Sequence, residues 1–585
     1  MRLYHDSRSL DCRSPFGAVR CGDTIRLRLY CEGEAVSVNA IFISGEHRFT
    51  LPMVFSGNNG YDLRFQAPEK PCSVDYFFAA VGRDGQTNYL GNAEDGLGGV
   101  GHQTTSAPLP FTITVYDRDF DTPDFMKDGI LYQIFPDRFH RSRVPQEVQP
   151  GAYLHKDWDE PVLTVRDPRC SYACADFYGG DLKGIIEKLD YLESLHVTVL
   201  YLNPIFMARS NHRYDTSDYR RIDPLVGTEE DLKELCLEAE KRGMHVLLDG
   251  VFSHTGDDSV YFNRYGHFDS VGAYQSPDSP YASWYTFEHY PDKYKCWWDF
   301  ITLPTCRKQD PAFREFMLGP DGVVPHYPAL GTAGWRLDVA DELPMDFLRQ
   351  MRTSLPKGKV LMGEVWEDAS NKISYGERRN YCLGDTLDSV MNYPLRAAAL
   401  AFIKGEITAF DFARRVDSLR ENYPRPFFYA LMNLMGSHDR ERVLNLLADE
   451  TWTHVPEKKR AMQKLPTEKR KLAIKRLKEM WRLYIALPGM PSLYYGDEAG
   501  VEGAADPFCR APYPWGHEDT ELLSYVRQML ELRSSRPVLR RGEVELTPID
   551  NDTLRIRRFG YAGFDAFGKD MQDEEYEVIV RSVRA

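Results

Sequence analysis

Residues 334–342 read GWRLDVADE, a stretch whose first half has the apolar character of a buried strand. Arg336 and Asp338 interrupt it two residues apart. In a strand that spacing puts both side chains on one face. A buried structural ion pair would account for the two charges, but it would not call for acids on neighbouring strands.

Such acids recur. Apolar runs of the parallel-strand type appear at 130–136 (ILYQIFP), 198–204 (TVLYLNP), 244–250 (MHVLLDG), 334–340 (GWRLDVA) and 360–366 (VLMGEVW). Three more follow at 387–393 (LDSVMNY), 430–439 (ALMNLMGSHD) and 491–498 (PSLYYGDE). Amphipathic stretches such as DLKGIIEKLDYLESL and EEDLKELCLEAEKRG lie between most of them. Eight strand candidates over roughly 400 residues suit an α/β fold, a (β/α)8 TIM barrel with insertions. Residues at the C-terminal ends of barrel strands converge. Those ends carry Asp249 and His254, Arg336 and Asp338, Glu364, and His438 with Asp439. Any one acid there can simply cap the next helix, and for Asp249 alone that reading weighs equally. Agreement of four ends points to a site.

The residue types suggest a division of labour. Arg336 is expected to lower the pKa of Asp338 and hold it ionised, as a nucleophile requires. Glu364 lies among apolar residues, and desolvation is expected to raise its pKa, as suits a general acid. His254 and His438 could donate hydrogen bonds to substrate hydroxyls. Two acids in unlike environments with a third beside them describe glycoside hydrolysis through a covalent intermediate.

Outside the barrel, short β-rich runs separated by Gly, Asn, Pro and Asp predict a β-sandwich over residues 1–118. The barrel is expected over 119–253 and 310–536. An inserted domain rich in Tyr, Trp, Asp and Gly occupies 254–309, and a short C-terminal β domain 537–585. The basic stretch 457–480 reads as a solvated helix face. The chain has 585 residues and a formal charge of −15, which argues against nucleic acid or an anionic membrane as partner. No run approaches the roughly 20 apolar residues of a membrane span. The N-terminal stretch lacks the apolar core of a secretory signal, and eleven cysteines are scattered without metal-ligand spacing. These features predict a cytoplasmic protein with reduced thiols. Aromatic residues make up 13% of the chain, which leaves rings available for stacking on a neutral substrate.

Together DGVFSH (249–254), GWRLDVADE (334–342), GEVW (363–366) and GSHD (436–439) resemble the α-amylase family of glycoside hydrolases (family 13). Within it the chain specifically resembles the neopullulanase, cyclomaltodextrinase and maltogenic amylase group. HRYDTSDY (212–219), FYGGDLKGI (177–185) and DPFCRAPYPW (506–515) strengthen the resemblance, which runs from about residue 5 to about 545. It implies Asp338 as nucleophile, Glu364 as general acid/base and Asp439 as transition-state stabiliser. It implies Arg336 as the residue orienting the nucleophile and Asp249 as the acid of the first motif. Tyr214, His254 and His438 would hold the sugar at the bond to be cut. Trp335, a neighbour in the strand, should face away and pack.

The resemblance further implies a starch-binding-type N-terminal module, often a dimer contact in that group, and hence a homodimer acting on α-glucans. Many relatives have an Asn where this chain has Ser253, a poorer ligand for calcium. The Asn/Asp-rich loop after the first strand is replaced by HRSRVPQEVQPG. No cofactor is therefore expected to be required, and any calcium would be weakly held. Intact Asp338, Glu364 and Asp439 argue against an inactive glucan-binding relative. A 4-α-glucanotransferase on the same site is the alternative, since partition between water and a sugar acceptor depends on residues such as Asp341 and Glu342. Glu342 could equally cap or pair with a neighbouring loop.

Overall fold

The computed structural model describes residues 1–571 and 574–585. It divides into two compact units. One comprises Met1–Thr122, Glu367–Asp388 and Thr408–Phe428; the other comprises Pro123–Trp366, Ser389–Ile407 and Tyr429–Ala585.

The second unit contains a barrel of parallel strands: β1 (Leu131–Ile134), β2 (Val199–Leu202), β3 (His245–Gly250), β4 (Gly334–Leu337), β5 (Val360–Gly363), β6 (Ser389–Val390), β7 (Met432–Leu434) and β8 (Met490–Tyr494). All eight predicted strands are present. The hydrogen-bonded order is β6-β5-β4-β3-β2-β1-β8-β7. A parallel bridge between Met391 and Met432 joins the two ends. Strands β1, β2, β4 and β5 are buried along their whole length, as strands covered on both faces must be. Leu131, Val199, Tyr201, Leu247, Met362 and Met432 belong to one packed cluster.

The pairing register positions the site. Asp249 lies opposite Arg336 across β3–β4, and Leu337 opposite Gly363 across β4–β5. Gly334 starts β4 with φ of +143°, and a Cβ there would stand 2.0 Å from the Val360 carbonyl oxygen. Only glycine permits that approach. Trp335 points away from the barrel interior, donates its indole N–H to the Val324 carbonyl (3.1 Å) and packs against Phe252 and Tyr327.

Two helix expectations need correction. Residues 181–195 form two short helices, Leu182–Glu187 and Leu189–Glu193, with the chain leaving helical geometry at Lys188. The basic stretch is likewise split into Glu457–Arg460 and Thr467–Ala486, with Pro466 at the second start. Its second helix is not merely solvated, because Arg476 is buried and bonds to the Val583 and Leu447 carbonyls. The insertion after β3 holds a small hairpin, Phe287–His289 with Lys293–Tyr294, and two 3-10 turns. Glu543–Pro548, Thr553–Phe559 and Glu575–Arg581 form a three-stranded antiparallel sheet in the C-terminal region. Residues 572 and 573 of that region lie outside the described residues.

In the first unit, two antiparallel-rich sheets enclose a core of Leu27, Leu29, Phe42, Tyr76, Phe78 and Ile113. Strand Thr24–Glu32 alternates inward and outward residues, the pattern expected of a sheet with one face buried. The helix Ala409–Asn422 starts from a capping box, with Thr408 and Asp411 each bonded to the other's backbone N–H.

Candidate active site

Arg336 is the hub of the site. Its side chain is fully buried, and its Nη1 donates to Asp249 Oδ1 at 2.7 Å and to Asp338 Oδ1 at 3.2 Å. Nη2 forms an ion pair with Glu364 Oε2 at 2.8 Å. Three acids from the ends of β3, β4 and β5 thus share one guanidinium. Glu364 is held on both oxygens: Oε2 accepts the Val339 N–H (2.9 Å), and Oε1 accepts the Trp366 indole N–H (3.2 Å).

A second layer fixes Tyr214 and His438. Tyr214 donates its hydroxyl proton to Asp249 Oδ2 (2.7 Å), and the Tyr201 hydroxyl donates to the same oxygen (2.6 Å). The side-chain amides of Gln133 (2.9 Å) and Asn203 (3.2 Å) both donate to His438 Nδ1. That leaves the proton on Nε2, which donates to the Tyr214 hydroxyl at 2.7 Å. The two rings stack at 5.2 Å and 5°. Nε2 also lies 3.2 Å from Asp439 Oδ1, and Arg510 Nη2 stands 3.7 Å from the same oxygen. Burial, with Arg510 and Arg336 nearby, drives the His438 pKa well below the usual imidazole value, so the ring is neutral.

His254 lies against Tyr214 and Ser253. Its Nε2 meets the Tyr214 carbonyl at 3.1 Å and its Nδ1 meets the Ser253 hydroxyl at 2.9 Å, so both nitrogens are engaged within the protein. Burial lowers its pKa to about 4. Glu342 sits just beyond the end of β4. It lies in the 3-10 turn Ala340–Glu342 after β4, where its charge is felt by the buried Lys308.

The expected electrostatics of Asp338 are corrected. Arg336 does pull its pKa down, but burial outweighs the guanidinium, and the charges of Glu364, Asp249 and Asp439 add to the rise. The Asp338 pKa stands well above the usual carboxylate range. Burial also raises Glu364 and Asp249, both opposed by Arg336, and Asp439, whose side chain is 34% exposed, rises with them against Arg510 and Arg336. Four crowded acids with two guanidiniums hold protons as a group. A group that shares protons can supply a donor and an ionised acid together, the two forms that acid-assisted displacement needs.

Ser253, the position where the resemblance implies a calcium ligand, does not fit that ion here. The Ser253 hydroxyl is engaged by His254, and the Ser253 carbonyl accepts from the Lys308 ammonium at 3.2 Å. A second cation beside that ammonium would be repelled.

Sequence reasoning missed Gln133, Tyr201, Asn203 and Arg510. Tyr201 and Asn203 are two apart at the end of β2, the same spacing as Arg336 and Asp338. That periodicity was the available signal.

Acids, amides and rings gathered at the C-terminal ends of eight parallel strands define the class, a (β/α)8 protein built for carboxylate chemistry. The chain belongs to the α-amylase family: the family model for the α-amylase catalytic domain matches residues 133–541. An amylopullulanase from Thermoanaerobacter thermohydrosulfuricus is 37% identical over 99% of this chain and 42% of its own length. Neopullulanase 2 from Thermoactinomyces vulgaris is 31% identical over 91% of this chain and 83% of its own. The chain spans less than half the length of the amylopullulanases it matches. Among solved structures, the type III pullulan hydrolase from Thermococcus kodakarensis superposes with a TM-score of 0.63 at 26% identity, covering 99% of this chain and 100% of its own. Ligand-free cyclic α-maltosyl-(1→6)-maltose hydrolase from Arthrobacter globiformis gives 0.63 at 28%, covering 79% and 100%. No helix among the described residues is long and apolar enough to cross a membrane.

Proposed function

We propose that the chain is a retaining glycoside hydrolase that cleaves α-1,4-glucosidic bonds in maltodextrins, cyclodextrins, pullulan or starch. One observation carries the reading: a single buried guanidinium in contact with Asp249, Asp338 and Glu364. Two carboxyl groups bridged in this way are compatible with the separation of about 5–5.5 Å used in retaining chemistry. With the cluster's proton on Glu364 and Asp338 ionised beside Arg336, Asp338 attacks the anomeric carbon while Glu364 gives its proton to the departing glycosidic oxygen. Glu364 then takes a proton from water, which hydrolyses the glycosyl–Asp338 ester and frees Asp338. Asp439 stabilises the positive charge that develops on the sugar, and Arg336 orients Asp338. Tyr214, backed by His438 and Asp249, offers a ring face to the sugar, and His254 closes the wall beside it. Glu342 lies toward the acceptor.

The names of the relatives, among them amylopullulanase, neopullulanase 2 and cyclomaltodextrinase, support α-glucans as substrates. We take 1–118 as a starch-binding-type module and 119–253 with 310–536 as the catalytic region. Residues 254–309 are then an inserted domain and 537–585 a short C-terminal domain. A homodimer through the N-terminal module belongs to this proposal, and light scattering that detects only monomer would remove it. Eleven unpaired cysteines favour a cytoplasmic, reducing location.

The test is product analysis. The protein should release sugars from maltodextrins, and folded Asp338→Asn and Glu364→Gln should lose that activity by at least a thousandfold. Near-parental rates in both variants would overturn the assignment. Panose from pullulan would mark α-1,4 cleavage, whereas maltotriose would mark α-1,6 cleavage.

A further inference from the structure

The inserted segment carries an aromatic array that runs outward from His254. The Trp297 ring lies 5.6 Å from His254. Trp298 stacks on Trp297 at 5.0 Å and 10°, and Phe300 stacks on Trp297 at 5.9 Å and 25°. Trp298 is 69% exposed, Phe300 56% and Ile301 49%.

Local packing does not explain that exposure. The same segment has a buried aromatic core in which Phe262 packs on Tyr285 and Tyr294. Instead of entering it, the chain takes left-handed backbone at Trp298 (φ 46°) and Asp299 (φ 63°) in succession. Neither is glycine, and such residues cost about 1–3 kcal/mol each unless their surroundings fix them.

The surroundings do fix them. Within the loop, Trp297 N–H donates to the Leu303 carbonyl, Phe300 N–H to Trp297 and Leu303 N–H to Phe300, at 2.8–2.9 Å. Thr255 N–H donates to the Pro304 carbonyl (3.1 Å) and Asp257 N–H to Thr302 (2.9 Å), tying the loop to the segment that follows β3. The Trp297 indole nitrogen is buried without a hydrogen-bond partner. Exposed rings on a rigidly held loop lose little entropy when something binds them.

The geometry points to Trp298 and Phe300, backed by Trp297, as an outer subsite that stacks on a sugar ring of an α-glucan too long for the acid cluster alone. The ligand class rests on the glycoside hydrolase reading above. The array begins on His254, whose Nε2 meets the backbone carbonyl of Tyr214, the residue bonded to Asp249, so a chain held at the acid cluster can continue toward Trp298. Flat indole faces suit the apolar faces of pyranose rings, and exposed Asp299 lies beside them to accept hydroxyl protons.

The test is calorimetric binding of maltoheptaose and maltotriose to Asp338→Asn protein, with and without Trp298→Ala. Tyr561→Ala, at another exposed aromatic far along the sequence, serves as the control. Trp298→Ala should weaken maltoheptaose about tenfold and maltotriose less than threefold, while Tyr561→Ala changes neither. Maltoheptaose affinity within twofold of the parent would overturn the subsite. So would equal weakening of both sugars, or a change in oligomeric state with glucan affinity intact. Binding that depends on Trp298 in a protein that hydrolyses no α-glucan would support the subsite and remove only the hydrolase reading. No binding of either sugar would overturn both.

Discussion

Replacing Arg336 with Lys tests whether one guanidinium sets the protonation of the whole acid cluster. The native side chain makes three contacts with acids, at 2.7, 3.2 and 2.8 Å, from two nitrogens of one rigid plane. A lysine keeps the charge, but a compact ammonium cannot reproduce that fork. At least one carboxyl group therefore loses a charge-assisted contact, a hydrogen bond from Nη1 or the ion pair of Nη2 with Glu364, worth about 1.5–3 kcal/mol. At 1.36 kcal/mol per pH unit, that raises the pKa of the abandoned acid by about one to two units. The guanidinium lowers Asp338, Glu364, Asp249 and Asp439 alike, so each of them can only move upward when it is weakened.

The assay is the pH dependence of kcat/KM on maltoheptaose, with thermal melts to establish folding. The acid limb should move to higher pH by about one to two units, with activity at neutral pH falling accordingly. Stability follows the same sign. Acids whose folded pKa is raised favour the folded state below their unfolded pKa and lose that contribution as pH rises through the folded value. The variant should therefore lose more stability than the parent between acidic and alkaline pH. An acid limb that stays in place, or moves down, in a folded and active variant would refute the shared-guanidinium argument.

Other perturbations probe the scaffold. Glu498 is fully buried, accepts the hydroxyls of Tyr132 (2.6 Å) and Tyr191 (2.8 Å), and has its pKa raised to about 7, chiefly by burial. Its stabilising contribution is complete below 4.5 and is lost by about pH 7, a change of about 3 kcal/mol. Glu498→Gln, which mimics the protonated form, should narrow the difference in melting temperature between pH 5 and pH 8; an unchanged difference counts against it. Gly334→Ala should destabilise by at least about 3 kcal/mol, because its methyl group meets the β5 backbone. Chemical denaturation with a loss under 1 kcal/mol would show that the β4–β5 spacing yields easily.

The barrel was legible because strands covered on both faces must be apolar along their whole length, and that leaves continuous runs in the sequence. The acids were legible for the complementary reason: a charge at the end of such a run has few structural uses. Tyr201, Asn203 and Gln133 escaped notice because Tyr and amide side chains are ordinary in strands, and only the fold shows what they bond. The protonation of Asp338 could not be read from its neighbour Arg336. Sequence spacing gives the attraction between two charges, whereas burial and the crowding of three more acids come from strands far apart in the chain. The break at Lys188 was hidden as well, since a helical pattern of apolar residues continues through it.

The end of β4 explains how the paired chemistry is held in register. Directly after Asp338, Val339 takes a left-handed conformation, φ 36° and ψ 69°, that a β-branched residue strongly disfavours. The bend has a visible result: the Val339 N–H points at Glu364 Oε2, and the Ala340 N–H meets the Glu364 carbonyl at 3.1 Å. The Glu364 N–H in turn donates to the Leu337 carbonyl at 3.0 Å, and the Asp338 N–H to Gly250 at 3.1 Å. Asp338 and Glu364 are thus tied together by backbone bonds on both sides of the bend as well as by Arg336 between their side chains. An extended Val339 would continue the strand and withdraw that N–H from Glu364. The strain at Val339 therefore accompanies the constraint on both acids, as expected where backbone strain serves a site.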